Sequence, residues 1–475
     1  LRRLSLGLAL LAQGCEQDCV GAGCLENFGA ASALLHSGAD LPDAGQAEPS
    51  QATLSIRGTT LLGPTWDISI RRDTLLVGSS TDSTVRSYAP VIGDQLVEAE
   101  STGTLEGEHS SDDFGHLIRP IAGSDGTMNL LVTAPKVSIT PDTRHNGAVY
   151  LFTGIGDGWT GELTASEATT RMTGESPGGR LGSALAVCPD IDGDGLEEWM
   201  TAATRDSSAE AMSGQIVLAL STDLAEQPNQ LGIGALQTRW TGSDLAELAG
   251  HSLSCSHDLD GDATPDLLIG TPYADGSADE DAVGAVHLIS GAALPEQGAL
   301  NSLSSPRIQL GEANDWFGWS IATGDIDGDG KNDLAISAPG TAAATGVVYL
   351  WSGQQIQDGE LGSPVRTLSG VEEGGRFGWS THIADVNGDG MDDLIIGAPY
   401  VNPTGDIDAF DAGRISVYFG GLDLQSWPEA QTALDAPLIY SEPQQYLRTG
   451  RRIFSGDFDG DAAADMVFLH LAEGN

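Results

Sequence analysis

Asp325-Ile326-Asp327-Gly328-Asp329-Gly330-Lys331-Asn332-Asp333 is the stretch whose reading decides the fold. Acidic side chains stand at its positions 1, 3, 5 and 9, with glycine at position 4. The pattern recurs at Asp190, Asp192, Asp194 and Glu198, and again at Asp258, Asp260, Asp262 and Asp266. It returns at Asp385, Asn387, Asp389 and Asp393, and at Asp457, Asp459, Asp461 and Asp465. Oxygen donors at this spacing, turned back by a glycine, suit a hard cation. Calcium accepts six to eight oxygens in a flexible shell, whereas magnesium keeps its waters and a strict octahedron. The position-7 carbonyls, of Leu196, Thr264, Lys331, Met391 and Ala463, are further candidate ligands. No Cys or His occupies a ligand position, which argues against zinc.

An EF-hand opens in the same way but needs Glu at position 12 between helices. Position 12 is Thr201, Ile269, Ile336, Ile396 and Phe468, inside runs of strand character such as Leu267-Leu268-Ile269-Gly270. The loops therefore join strands. A single copy would read equally well as an Asp/Gly hairpin turn; five copies with one ligand pattern point to calcium.

Around the loops a longer frame repeats. Phe317-Gly318-Trp319-Ser320 and Phe377-Gly378-Trp379-Ser380 precede two of them, and Ala338-Pro339 and Ala398-Pro399 follow. A further apolar run comes next, at Val347–Trp351 and Arg414–Phe419. The frame recurs at Leu181-Gly182, Gly250-His251 and Gly450-Arg451. Two weaker copies, without the acidic loop, begin at Phe114-Gly115 and Leu62-Gly63. First aspartates at 190, 258, 325, 385 and 457 give spacings of 68, 67, 60 and 72. A repeat of this length, holding about four short strands and no helical periodicity, is one propeller blade. The expectation is an all-β, seven-bladed β-propeller of four-stranded antiparallel blades. The last repeat ends near its second strand, so N-terminal strands such as Ala52–Ile56 are expected to complete blade seven, because an open outer edge is a liability. A repeat cut short at the C-terminus is the alternative.

Charge and cysteines place the chain. It carries 68 Asp and Glu against 21 Lys and Arg, net −47, with 63 glycines in no Gly-X-Y register. Nucleic acid is excluded as a partner, since phosphate binding needs a basic face. Leu4–Ala12 behind Arg2-Arg3 resembles a secretory signal, too short to span a bilayer. Leu11-Ala12-Gln13-Gly14-Cys15 resembles a lipobox, making Cys15 a candidate lipidation site and a lipid anchor the expected membrane link. Plain secretion and a cytosolic N-terminus stay open. The expected organisation is a signal-like segment at 1–14, a flexible Gly/Ala-rich tether at 15–50 and the propeller at 51–475. Cys188 and Cys255 fall in successive repeats at slightly different offsets and read as buried thiols.

Phe-Gly, the acidic nonapeptide and Gly-Ala-Pro together resemble the FG-GAP repeat of integrin α-subunit propellers and their bacterial relatives. The resemblance covers roughly residues 51–475, most specifically in blades three to seven. It implies calcium loops on one face and a role in adhesion or protein recognition at the cell surface or outside the cell. In a four-stranded meander the second-to-third and inter-blade links lie at the opposite end from those loops. Long polar segments fall there, at 271–283, 400–412 and 135–146, with inter-blade links at 106–113 and 312–316. That face is the candidate site for a protein or glycan ligand.

Trp319 and Trp379 read as inter-blade packing, and Trp316 as the better contact residue. The chain contains no HExxH, P-loop or GxSxG; Gly250-His251-Ser252-Leu253-Ser254 lacks the final glycine. A non-catalytic binding module is therefore expected, with a secreted glycan-binding or glycan-processing propeller as the alternative.

Overall fold

The computed structural model describes residues 30–36, 45–47, 66–71, 74–80, 82–88, 101–124, 126–139, 144–155, 159–221, 223, 230–255, 257–276, 282–295, 297–402, 411–441, 446–456 and 464–472. Within them the chain forms seven β-sheets. Each of the first six is built on four antiparallel strands in chain order, and in four of them a short strand that joins the preceding sheet intervenes between the third and the fourth. The fifth, for example, runs Ile321–Gly324, Asp333–Ala338, Val347–Trp351 and Arg366–Ser369. The sixth runs Ser380–Ala384, Asp393–Ala398, Arg414–Tyr418 and Leu438–Tyr440. Strong β-formers fill the second and third strands, which are buried at almost every position and therefore lack polar alternation.

First strands of successive sheets lie side by side, from Trp66–Arg71 through Ile118–Ala122, Leu181–Cys188, Ser252–Ser254, Ile321–Gly324 and Ser380–Ala384 to Ile453–Gly456. Ile453–Gly456 also lies beside Trp66–Arg71. Apolar cores fill the spaces between neighbouring sheets. Phe377 packs with Val348 and Leu350 of the fifth sheet and Leu394, Ile396 and Tyr418 of the sixth. Phe317 does the same between the fourth and fifth, and Phe114 between the first and second. The Phe of each Phe-Gly pair is thus a wedge between sheets, fully buried, and burial of one such ring contributes about 1.5–3 kcal/mol.

Glycine is demanded where that wedge meets the preceding sheet. Gly346 has φ +87°, and a Cβ there would lie 2.1 Å from the carbonyl oxygen of Phe377. Gly284 stands in the same relation to Phe317. The residue before each Phe-Gly pair, and before its counterparts Leu181-Gly182, Ala249-Gly250 and Thr449-Gly450, also adopts a left-handed conformation without being glycine: Asp113, Arg180, Leu248, Trp316, Arg376 and Arg448. Such backbone costs energy and persists only where the surroundings over-determine it. Here backbone bonds hold it. Arg376 N–H donates to Ala344 O at 2.8 Å, and Arg448 N–H to Asp411 O at 2.9 Å.

Five sheets acquire a fifth, parallel strand from elsewhere in the chain. Ala430–Thr432, between the third and fourth strands of the sixth sheet, pairs with Arg366–Ser369 of the fifth. Gly161–Thr164, Gln230–Gly232 and Gln297–Ala299 serve the first, second and third sheets in the same way.

The seventh sheet departs from the expected tether. Asp465–Ala472 pairs antiparallel with Ala30–His36, from Ala30 opposite Ala472 to His36 opposite Met466. Gly45–Ala47 adds the parallel strand to the sixth sheet. Both segments fall within 15–50. Their Gly/Ala-rich composition has no strand signal of its own, and their order comes from edges supplied at the far end of the chain. Cys15, the signal-like segment, Leu62-Gly63 and Ala52–Ile56 lie outside the described residues.

The buried-thiol reading of Cys188 and Cys255 is also corrected: they form a disulfide, with Cα atoms 5.0 Å apart. Slightly different repeat offsets bring one sulfur to the end of Leu181–Cys188 and the other just past Ser252–Ser254, so the bond staples two sheets.

Candidate metal loops and the face opposite them

Four of the five acidic loops are described, each between the first and second strand of its sheet. In the fifth-sheet loop Asp325 accepts the N–H groups of Asp329 and Gly330, at 3.1 and 3.0 Å. Asp329 accepts from Lys331 at 2.8 Å, and its other oxygen lies 3.4 Å from Lys331 Nζ. The same bonds recur elsewhere. Asp190 accepts from Gly193, Asp194 and Gly195; Asp258 accepts from Gly261 and Ala263; Asp385 accepts from Gly388, Asp389 and Gly390. Position 1 therefore winds the loop around itself and draws its carboxylates inward.

Position 9 is buried in every described copy: Glu198, Asp266, Asp333 and Asp393. One oxygen accepts the position-2 N–H, from Ile191, Leu259, Ile326 and Val386. The other, in three loops, accepts an N–H just beyond the third strand, from Gly291, Gly353 and Gly420. The ninth residue thereby ties the loop to three strands. Burial pushes Glu198, Asp333 and Asp393 up to about 7 and Asp266 to about 6, against the backbone bonds that lower them; nearby loop aspartates raise them further.

The donor set fits a calcium ion in part. Ligand-type atoms of Asp190, Asp192, Asp194 and Glu198 lie within 4.8 Å of one another, as do those of Asp258, Asp260 and Asp262, and those of Asp325, Asp327 and Asp333. Glu198 Oε1 and Asp327 Oδ1 are buried without a hydrogen-bond partner. A buried carboxylate oxygen so placed costs free energy until a proton or a cation meets it. Asp266 and Asp329 stand outside their groups. In the sixth-sheet loop Asn387 donates to Asp389 at 3.1 Å, and its carboxylates form no such group. Asp465 lies on a strand, while Asp457, Asp459, Asp461 and Ala463 fall outside the described residues.

Neighbouring loops are linked. Asp325 N–H donates to Asp392 at 2.9 Å, Ala464 N–H donates to Asp385 O at 2.7 Å, and Ala122 N–H donates to Glu197 at 2.5 Å. The first two sheets turn without the acidic pattern; between Ile118–Ala122 and Met128–Ala134, Gly123 and Thr127 simply close a hairpin.

At the opposite end, the wedge corners and second-to-third links meet. Trp316, Trp319, Trp379, Tyr273 and Tyr400 are half-buried there. Trp319 lies 4.5 Å from Trp379 and 5.4 Å from Trp316, centroid to centroid, and its Nε1–H donates to Trp379 O at 3.1 Å. The expected inter-sheet packing of Trp319 and Trp379 is therefore present, and Trp316 extends the same wall. Arg376 sits over Trp316 at 4.5 Å, Trp379 at 5.5 Å and Tyr400 at 5.9 Å; Arg448 lies over Tyr400 at 5.3 Å.

Sequence reasoning passed over this wall because its parts come from separate repeats. It also passed over Glu108, His109 and Asp112, whose ligand-type atoms cluster. That group is already engaged: Glu108 pairs with Arg171 at 3.2 Å and His109 with Asp112 at 3.3 Å.

Parts of the chain are similar to known proteins. The FG-GAP repeat family matches residues 317–351 and 377–418. Integrin alpha-5 of Xenopus laevis is 31% identical over 154 residues, 32% of this chain and 13% of that protein. Integrin alpha-IIb of Homo sapiens is 36% identical over 189 residues, 38% and 16% of the two chains. Phosphatidylinositol-glycan-specific phospholipase D of Bos taurus is 31% identical over 160 residues, 32% and 18%. The chain thus spans under a fifth of the length of these relatives. Among solved structures, Sqt1 of Chaetomium thermophilum aligns over 100% of this chain and 95% of that one at 12% identity, with a TM-score of 0.47. Residues 317–351 and 377–418 thus carry FG-GAP repeats, the chain is similar to integrin alpha subunits over about a third of its length, and its succession of antiparallel sheets fits a β-propeller.

Proposed function

We propose that this protein is a calcium-stabilised, non-catalytic recognition module acting at the cell surface or outside the cell. Its seven sheets form the blades of a closed ring, completed by Ala30–His36. The side-by-side order of first strands, with Ile453–Gly456 against Trp66–Arg71, supports closure. The acidic loops would hold calcium through the carboxylates of positions 1, 3 and 5, with position 9 as brace and further donor. Bound calcium would neutralise charges that repel strongly at this spacing. It would fix the blade ends without taking part in recognition.

Ligand binding is assigned to the other end, where long links gather on a rigid scaffold. The Cys188–Cys255 bond supports an oxidising compartment. Among the described residues no helix is long and apolar enough to cross a membrane. A lipid on Cys15 would provide attachment. The observation that carries the proposal is the common hydrogen-bond geometry of four acidic loops at one end, with a half-buried aromatic wall at the other.

Protein recognition and adhesion form the first reading. Glycan binding is the second, favoured by the half-buried Trp and Tyr rings, which offer flat faces to sugars. Calorimetry should count several calcium ions per chain, and protein and glycan arrays should give calcium-dependent binding. Absence of calcium binding at millimolar concentration, or binding untouched by alanine clusters in the opposite-face links, would overturn the assignment.

A further inference from the structure

The wall of Trp316, Trp319, Trp379 and Tyr400 carries a chemistry at odds with the rest of the molecule. In a chain of net charge −47, Arg376 lies across three of these rings and Arg448 across the last. Arg448 is paired with Asp411 at 3.5 Å. Arg376 has no carboxylate within ion-pair distance among the described residues, and neither does Arg451. Arg451 follows the glycine of its corner, the place taken by Trp319 and Trp379 in their own repeats. Lys136, paired with Asp113 at 3.1 Å, Arg452, paired with Asp67, and Arg180 stand on the neighbouring corners, close enough for all three charges to bear on His116.

We propose that this arginine–aromatic wall is a binding site for a carboxylated oligosaccharide, with Arg376 taking a sugar carboxylate and the indole faces taking the pyranose rings. The inference rests on the reading that the ligand face lies opposite the acidic loops. Three observations lead to it. The Arg376 guanidinium lies over the Trp316 ring at 4.5 Å and is without an ion-pair partner among the described residues, which leaves it N–H donors in the fork that matches a carboxylate. Trp319 is fixed by its bond to Trp379 O and by stacking on Trp316, so the platform is preorganised for a rigid ring. Backbone donors at these corners are already spent: Trp316 N–H on Ala282 O, Phe317 N–H on Val283 O, Arg376 N–H on Ala344 O and Trp379 N–H on Arg376 O. Among these described corner residues an acidic peptide would therefore find none of the four N–H groups free to pair with, whereas a sugar needs none.

The test uses the full chain with calcium at about 2 mM, in the range expected for extracellular sites. Mannuronate and hyaluronan oligosaccharides, their carboxyl-reduced counterparts and a poly-glutamate peptide are titrated against tryptophan fluorescence and calorimetry. The expected result is binding of at least one acidic sugar, with loss of about tenfold or more on carboxyl reduction and in Arg376→Gln. Trp316→Ala should weaken binding similarly. Arg239→Gln, whose guanidinium reaches Gly234 O and Leu236 O away from these links, should not, and melting temperatures should confirm that all variants fold.

Poly-glutamate binding that depends on Arg376, without sugar binding, overturns the ligand class and leaves the face assignment standing. Equal affinity for reduced sugars overturns the role of the arginines. Failure of every acidic sugar, while array ligands still depend on the opposite-face links, overturns the inference alone. Loss of both overturns the face assignment with it.

Discussion

Asp67 and Arg452, from near the two ends of the described chain, face each other at 4.0 Å. Asp67 is 1% exposed and also accepts from Ile118 N–H at 2.7 Å and Arg119 Nη1 at 2.5 Å. One buried carboxylate therefore holds the first strands of the first, second and seventh sheets together. Burial lowers the pKa of Arg452, and Asp67 acts against that shift. Removing the shared anion leaves two guanidinium groups without it. Asp67→Asn should cost about 3 kcal/mol, the lower end of the range for a broken buried pair because both arginines are partly solvated. Urea unfolding checks this; an unchanged midpoint would show that the clasp contributes nothing.

Calcium should stabilise the folded protein by mass action. A site filled at a hundred times its dissociation constant contributes about 2.7 kcal/mol. Chelation should lower the melting temperature, and Asp325→Asn with Asp327→Asn should remove part of the calcium response. A melting curve indifferent to EDTA is the contrary outcome.

Acid should blunt that response. Burial raises Glu198, Asp333 and Asp393 to about 7 and Asp266 to about 6, from ordinary values of 4.5 and 3.8. In the metal-free protein the unfolded chain ionises first as pH rises. These acids therefore cost stability progressively between about pH 4 and 7. Calcium needs the ionised form and must expel any proton held there. The calcium-induced rise in melting temperature should be larger at about pH 7.5 than at about pH 5.5. Equal shifts at both values would count against calcium at these loops.

The buried histidines act in the opposite direction. Burial lowers His251, His287 and His382 to about 4 and His116 to about 3, from 6.5. They are neutral in the fold, so their contribution is present above about pH 6.5 and lost as pH falls toward 4. His382→Gln keeps a polar group toward Ser455, 2.5 Å away, and should flatten the acid limb of stability against pH. An unaltered acid limb would remove His382 from the account.

The Cys188–Cys255 bond closes a long loop and should contribute about 2–4 kcal/mol. Paired substitution to alanine should lower the melting temperature without changing calcium stoichiometry, and peptide mapping should recover the crosslinked pair. Free thiols at both positions in protein purified without reductant would contradict it.

The repeating frame was legible because each copy carries its own punctuation. Phe377-Gly378, Asp385 through Asp393 and Ala398-Pro399 mark a wedge, a turn and a strand end within one short window. Acidic loop positions were legible for the same reason, since their bonds are local. Asp67 with Arg452, Cys188 with Cys255, and Arg376 with Trp316 come from different repeats, and no local pattern ties them. Ala30–His36 was read as tether because its partner, Asp465–Ala472, lies at the other end of the chain. The role of Asp333 as brace needed Gly353, beyond the next strand, to become visible.

The borrowed parallel strands have one more effect. Ala430–Thr432 and its counterparts cover hydrogen-bonding margins that would otherwise invite pairing with another molecule. The five sheets so finished can be crowded shoulder to shoulder without zippering through those margins. The units, however, are not interchangeable tiles: excising one would strip the strip of backbone that shields the unit before it.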